Sequence, residues 1–162
     1  MERVIAGIAL ILTLCCTYAA AGEELWSGKC VGIYDGDTIL VMRRGRQVKI
    51  RLYGIDCPEI GQDFGTKARR FAGKMAFGQM VAVQTVDLDR YGRNVAWVWI
   101  DGRSLNQELL KAGLAWWYRQ YAPEDTDLKN LEMQARREKL GLWSHPNPIP
   151  PWEFRKQSRT TR

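Results

Sequence analysis

The chain has 162 residues, with 24 Lys and Arg against 18 Asp and Glu and a formal net charge of +6. That length suffices for one domain with its own core and is too short for two full-sized ones. The basic balance favours polyanionic partners (nucleic acid, anionic membrane, acidic glycan), while a single histidine, His145, and the two separated cysteines beyond the N-terminal apolar segment, Cys30 and Cys57, give no zinc spacing.

The chain opens with a segment that stands outside the fold. Residues 1–22 carry Arg3, an apolar run over 4–16 and then the small residues "AAAG". This is the shape of a secretory signal peptide, with cleavage near Ala21 or Gly22. The run is short for a transmembrane helix. The mature form is therefore expected to be secreted or periplasmic and not embedded in a membrane. Removing the signal leaves Cys30 and Cys57. Export permits a disulfide between them, and two buried free thiols are the equal alternative.

Residues 28–55 read as strands. "KCVGIY" (29–34) is the first, "TILVMRR" (38–44) the second, closed by Gly45, and "RQVKIRLYGI" (46–55) the third, ended by Pro58. In the third, Val48, Ile50 and Leu52 alternate with Gln47, Lys49 and Arg51, which puts Arg51 on the polar side, away from the core. From 64 to 77 the period becomes helical: Phe64, Ala68, Phe71, Ala72 and Met75 share one stripe, with Lys67, Arg70 and Lys74 off it.

"QMVAVQTV" (79–86) and "NVAWVWI" (94–100) return to strand character, and Asp101-Gly102 marks a turn. Ser104 with Gln107 predicts a capped helix running to Ala112 and stopped by Gly113. A third helix is expected over 126–140, stopped by Gly141. Residues 145–162 are proline-rich and then basic, and read as a surface-hugging or loose tail. The order predicts a mixed β and α domain over 23–144, a five-stranded OB-fold barrel with three helices.

The chemistry-bearing residues fall in three groups. Asp35 and Asp37 flank Gly36 at a turn; Asp56 and Glu59 flank Cys57-Pro58 past the third strand. If those strands are neighbours, their ends converge and two carboxylates with a carbonyl and waters would suit a hard cation. The plainer reading is that turn aspartates bond their own backbone. Arg51, Arg90 and Arg93 offer planar donor forks that match phosphate oxygens. In "GLAWWYRQY" (113–121), Trp116, Trp117, Tyr118 and Tyr121 are rings on which bases stack, or core anchors; at least one tryptophan is expected in the core.

"DGDT" (35–38), "RLYGIDCPE" (51–59) and "DRYGR" (89–93), in this order, resemble the staphylococcal nuclease (thermonuclease) family. The similarity runs from about Gly28 to "KLGLWS" at 139–144. The resemblance implies an OB-fold barrel with three helices and a calcium-dependent phosphodiesterase acting on DNA and RNA. It implies that Asp37 and Asp56 ligate calcium, with the backbone carbonyl at Cys57, and that Glu59 activates the attacking water. Arg51 and Arg93 match phosphate-clamping arginines.

Arg90 and Tyr91 match the pair beside the terminal phosphate, with arginine in place of lysine. Tyr121 matches one tyrosine of the base pocket. Arg119 stands where the family has the other, with Tyr118 adjacent. No obligate protein partner is implied, and the chain is read as a monomer. The competing reading is a non-catalytic OB-type module that binds nucleic acid. Such a module has no need of the full set Asp37, Arg51, Asp56, Glu59 and Arg93.

Overall fold

The computed structural model describes residues 24–160; residues 1–22, read above as a signal peptide, lie outside them. Five strands close into a barrel: β1 (Glu24–Ile33), β2 (Thr38–Arg43), β3 (Arg46–Leu52), β5 (Met80–Leu88) and β6 (Asn94–Ile100). Neighbours run antiparallel in the order β3-β2-β1-β5-β6, and β3 pairs with β6 in parallel to close the ring. Closure leaves none of these five as an open edge along its whole length. The five-stranded OB-fold barrel expected from the element order is what forms.

Local chemistry accounts for the hairpins. Arg44 (φ 47°) and Gly45 (φ 77°) join β2 to β3, and Asp101 (φ 48°) and Gly102 (φ 74°) join β6 to the two-residue β7 (Arg103–Ser104). Both are two-residue turns with positive φ at each position, the twist that antiparallel strands favour. The third strand is shorter than the sequence suggests. It ends at Leu52, turns at Tyr53-Gly54, and resumes as β4 (Ile55–Asp56), which pairs with β8 (Trp116–Trp117). Gly54 takes φ 71°, which breaks the strand there.

Helix α1 (Gly65–Ala76) buries Ala68, Ala72 and Ala76 on the barrel, with Phe71 and Met75 half-buried beside them. In α2 (Leu105–Lys111) the Ser104 hydroxyl accepts the Gln107 N–H at 3.4 Å, as its sequence predicts. Helix α3 (Thr126–Arg137) is capped by Asp125, which accepts from the Leu128 N–H at 3.0 Å. The barrel interior is Ile39, Val41, Ile50, Leu52, Val81, Val83 and Val98, plugged at one end by Leu105, Leu109 and Leu110.

Asn106 is fully buried and is spent on backbone groups. Its Oδ1 accepts from Val98 N–H, and its Nδ2 donates to the carbonyls of Tyr53 (2.9 Å) and Ala96 (3.2 Å). The turn that leads into β4 is thereby tied to β6.

One expectation is corrected. Three helices were expected, and among the described residues there are four, with a 3-10 turn at Gly141–Ser144. The fourth, α4 (Pro151–Thr160), lies within the segment read as a surface-hugging or loose tail. Pro at its first position and Glu153 in its first turn suit a helix start. Trp152 packs into a second core cluster with Trp116, Ala135, Leu142 and Trp143. Cys30 and Cys57 are both buried free thiols, so the disulfide alternative does not form.

Candidate active site

The register of the barrel assembles the site. Thr38, the first residue of β2, lies opposite Arg51 of β3, and the ladder continues as Leu52 N–H donates to the Asp37 carbonyl at 2.8 Å. The parallel pairing sets Arg51 beside Val95, two residues past Arg93. The β4–β8 pair sets Asp56 opposite Trp116. Three sequence-distant segments thus meet at the mouth of one cleft of about 1050 Å³, lined by Asp37, Arg51, Asp56, Glu59, Arg93 and Tyr118 among others.

Arg51 is the hub. Its Nη1 lies 3.2 Å from Asp37 Oδ1 and its Nη2 2.9 Å from Asp56 Oδ1, with a further bond from Nη1 to the Leu52 carbonyl at 3.1 Å. Strand alternation suggested a guanidinium turned out to solvent. Instead its side chain is 12% exposed, because the polar face of β3 is roofed by the elements that carry the two aspartates. Burial opposes its charge, but Asp37 and then Asp56 outweigh that and raise its pKa.

The carboxylates are held with little freedom. Asp37 accepts from the Cys57 N–H through Oδ2 and from the Thr38 hydroxyl through Oδ1. Gly36 is required here: a Cβ would come within 2.7 Å of the Ala68 and Cys57 Cβ atoms. Burial, then the charge of Asp37, pushes Asp35 up to about 7. Burial and Asp37 likewise push the Cys57 thiol up, so it remains protonated and offers the site only its backbone. Asp56 is almost wholly enclosed; burial pushes its carboxyl up and hydrogen bonds from Arg155 pull it back.

Asp37 and Asp56 line one cleft with carboxylate oxygens, the ligand type that hard divalent cations take, and in this structure those oxygens accept from Thr38, the Cys57 N–H, Arg51 and Arg155. Among the described residues no three His, Cys, Asp or Glu side chains form a ligand cluster, so any such ion takes two carboxylates and completes its shell from backbone and water.

Arg93 lines the same cleft but is held by a different carboxylate. It sits at the base of the β5–β6 hairpin, where its Nε donates to Asp89 Oδ2 at 2.7 Å and its N–H to Asp89 Oδ1 at 3.0 Å. Arg90 and Arg93 flank the exposed Tyr91 ring at 4.9 and 5.5 Å. All three line the same cleft.

On the aromatic side, Trp116 and Trp117 are both buried. Tyr118 and Tyr121 contact each other, ring centroids 4.9 Å apart. Tyr121 is exposed, whereas Trp152 stacks on Tyr118 at 5.5 Å with planes 2° apart and covers one of its faces. Arg119, at the tyrosine position of the resemblance, lies over Trp117 at 5.1 Å.

One residue of the site escaped the sequence reading. Arg155 of α4 donates from Nη2 to Asp56 Oδ2 at 2.8 Å and from Nη1 to Glu59 Oε1 at 2.7 Å. Lys156 and Arg159 line the cleft beside it. The only local signal was "PWEFRK", a helix start followed by cations, with nothing in it to name a partner.

With the geometry in hand, the chain can be set beside known proteins. The family profile described as staphylococcal nuclease homologue matches residues 49–145. Micrococcal nuclease of Shigella flexneri is 39% identical, over 82% of each chain. An uncharacterized endonuclease of Escherichia coli O157:H7 is 43% identical over 79% of this chain and 84% of its own. Protein ParB of Escherichia coli is 36% identical over 100% of this chain and 94% of its own. These matches span most of each protein, and the profile covers both Arg51 with Asp56 and the Arg93 hairpin. The chain belongs to the staphylococcal nuclease family.

Proposed function

We propose that the protein is a calcium-dependent nuclease that hydrolyses phosphodiester bonds of DNA and/or RNA. The observation that carries this reading is Arg51, nearly buried and gripping Asp37 and Asp56 at the mouth of a cleft that Glu59 and Arg93 also line. A module that only bound nucleic acid would gain nothing from enclosing two carboxylates where a polyanion docks. The nuclease names of the relatives agree with a hydrolase.

In this reading Asp37, Asp56 and the Cys57 backbone carbonyl would hold calcium, which would supply positive charge to the reacting phosphate. Glu59 takes a proton from the attacking water, a contribution of roughly 10²- to 10⁴-fold. Arg51 and Arg93 donate to the equatorial oxygens as they gain charge. Arg51 would act from between the two aspartates, and Arg93, bonded to Asp89 through Nε, would donate to phosphate from its Nη groups. Arg90 and Tyr91 lie outward along the hairpin to receive the strand beyond the scissile bond. Tyr121, with the open face of Tyr118, receives a base. The net charge of +6 draws the polyanion in. The protein acts as an exported monomer, its N-terminal 22 residues directing secretion or entry to the periplasm.

Residues 23–162, purified and assayed on single- and double-stranded DNA and RNA with calcium and with a chelator, test the proposal. Cleavage that requires calcium is expected. Undiminished cleavage in excess chelator would remove the metal from the mechanism. Binding without cleavage in calcium would return the chain to the binding-module reading.

A further inference from the structure

The carboxylate of Glu59 is 35% exposed and follows Pro58 at the end of β4, in a segment with little regular structure of its own. A general base in that setting would sample several rotamers, and only some of them face the cleft. Two contacts from the C-terminal segment restrict it.

The first acts on the side chain. Arg155 bridges Glu59 Oε1 (2.7 Å) and Asp56 Oδ2 (2.8 Å), with a longer bond to Asp56 Oδ1 (3.3 Å). One guanidinium thus holds two carboxylates side by side that would otherwise repel. The second acts on the backbone. Gln62 Oε1 accepts the Glu59 N–H at 3.1 Å, while its Nε2 donates to the Ile149 carbonyl at 2.6 Å. The tail therefore holds the Glu59 side chain directly through Arg155 and its backbone indirectly through Gln62.

The tail is itself fixed. Trp152 stacks flat on Tyr118 and meets Trp116 edge-on at 5.6 Å, within the second core cluster. Arg155 lies on α4 three residues past Trp152, so the two are neighbours on the helix surface. An arginine on a docked helix is pre-organised, which a loose basic tail could not be.

We propose that Arg155 is a positioning residue for Glu59: it holds that carboxylate beside Asp56, so that the water-activating group is aimed before substrate arrives. The inference rests on the nuclease reading, with Glu59 as the base. It assigns to the C-terminal helix a part in the reaction, acting through Glu59 and not by contact with the reacting phosphate.

The experiment is a double-mutant cycle on residues 23–162 in saturating calcium, with Arg155→Ala, Arg155→Lys, Glu59→Gln and the two combinations, and thermal melts as folding controls. Arg155→Ala should lower kcat about 10- to 100-fold, the scale of a misplaced catalytic group, with KM changed by less than about 3-fold. Arg155→Lys should recover part of the loss, because a point charge cannot bridge two carboxylates as a fork does.

In the Glu59→Gln background the same Arg155→Ala change should cost less than about 2-fold, since the residue it positions is already disabled. Equal losses in both backgrounds, a rise in KM alone, or turnover unchanged or faster in Arg155→Ala would each overturn the proposal. The last of these would mark Arg155 as a plug. If Arg155→Ala does not fold, Arg155→Lys and Gln62→Ala carry the cycle. Gln62→Ala cuts only the backbone tether and should lower kcat in the same direction by a smaller factor. Failure of the nuclease reading would show in the wild type; failure of this inference shows only in the variants.

Discussion

In the cleft Arg51 is held by two enclosed carboxylates from different elements, Asp37 ahead of β2 and Asp56 in β4. Arg93, which lines the same cleft, is held by Asp89, four residues away in the same hairpin, and its side chain is 28% exposed. The first arrangement is set by the register of the β2–β3 hairpin and by β4, and is almost wholly buried, so it cannot relax without disturbing the packing around it. The second is made within one turn and can exchange without disturbing the core. A site built this way pairs a rigid wall, where charge is pre-placed, with a mobile one that can follow the substrate.

The comparison breaks first at Arg51. Arg51→Ala leaves Asp37 and Asp56 enclosed without their shared partner, and should destabilise the fold by about 3 to 5 kcal/mol in denaturant unfolding. A loss below about 1 kcal/mol would mean that the wall is not rigid in this sense.

Ending the chain after Ser144 comes next. It removes the Trp152 contacts and one of the two guanidiniums on Asp56, and should cost about 1.5 to 3 kcal/mol, the scale of a hydrogen bond to a charged group. Activity should fall with it. A truncated protein that melts and cleaves like the full chain would return 145–162 to the status of a tail.

Arg93→Ala should change stability by no more than about 0.5 kcal/mol, as at other surface positions. Turnover should still drop about 10²- to 10³-fold if the guanidinium meets the phosphate in the transition state. A large loss of stability would show that the hairpin is part of the rigid frame.

The smallest effect concerns Asp89. Burial opposes its charge, but hydrogen bonds from the Arg93 N–H, the Arg93 side chain and the Tyr91 N–H together outweigh it and hold its carboxyl below the ordinary range. A depressed folded pKa means that the contribution is full above the unfolded value, about 3.9, and is lost as pH falls through the lower folded value. Acidification below about pH 4 should therefore shift the amide resonances of Tyr91 and Arg93 while β1 to β3 stay unchanged. A coincident change throughout the barrel would tie the hairpin to the core.

Features that depend on a few neighbouring residues were legible in the sequence. The Ser104 cap, the Asp101-Gly102 turn and the alanine stripe of α1 each follow from spacing within about one or two turns of chain. The convergence of Asp37 and Asp56 was legible too, because β2 and β3 form a hairpin whose register follows from the Arg44-Gly45 turn. The surroundings of Arg51 were not. Alternation assigns a side to a residue, but whether that side meets water depends on what else packs there, here β4, β8 and α4. The split of the third strand at Tyr53-Gly54 was missed because a glycine within an apolar run does not by itself say whether the chain turns; here Gly54 takes φ 71° and Asn106 from another element bonds the Tyr53 carbonyl.

Sequence alone determined the family, the barrel and the candidate carboxylates and arginines of the three motifs, since each is written in short motifs and local periodicity. Tertiary structure alone decided which charges meet. Arg155 reaches Glu59 across 96 residues of chain and Asp56 across 99. It does so because Trp152 finds a place against Trp116 and Tyr118. Burial of an aromatic ring depends on the three-dimensional surface offered to it, and no pattern in "PWEFRK" describes that surface.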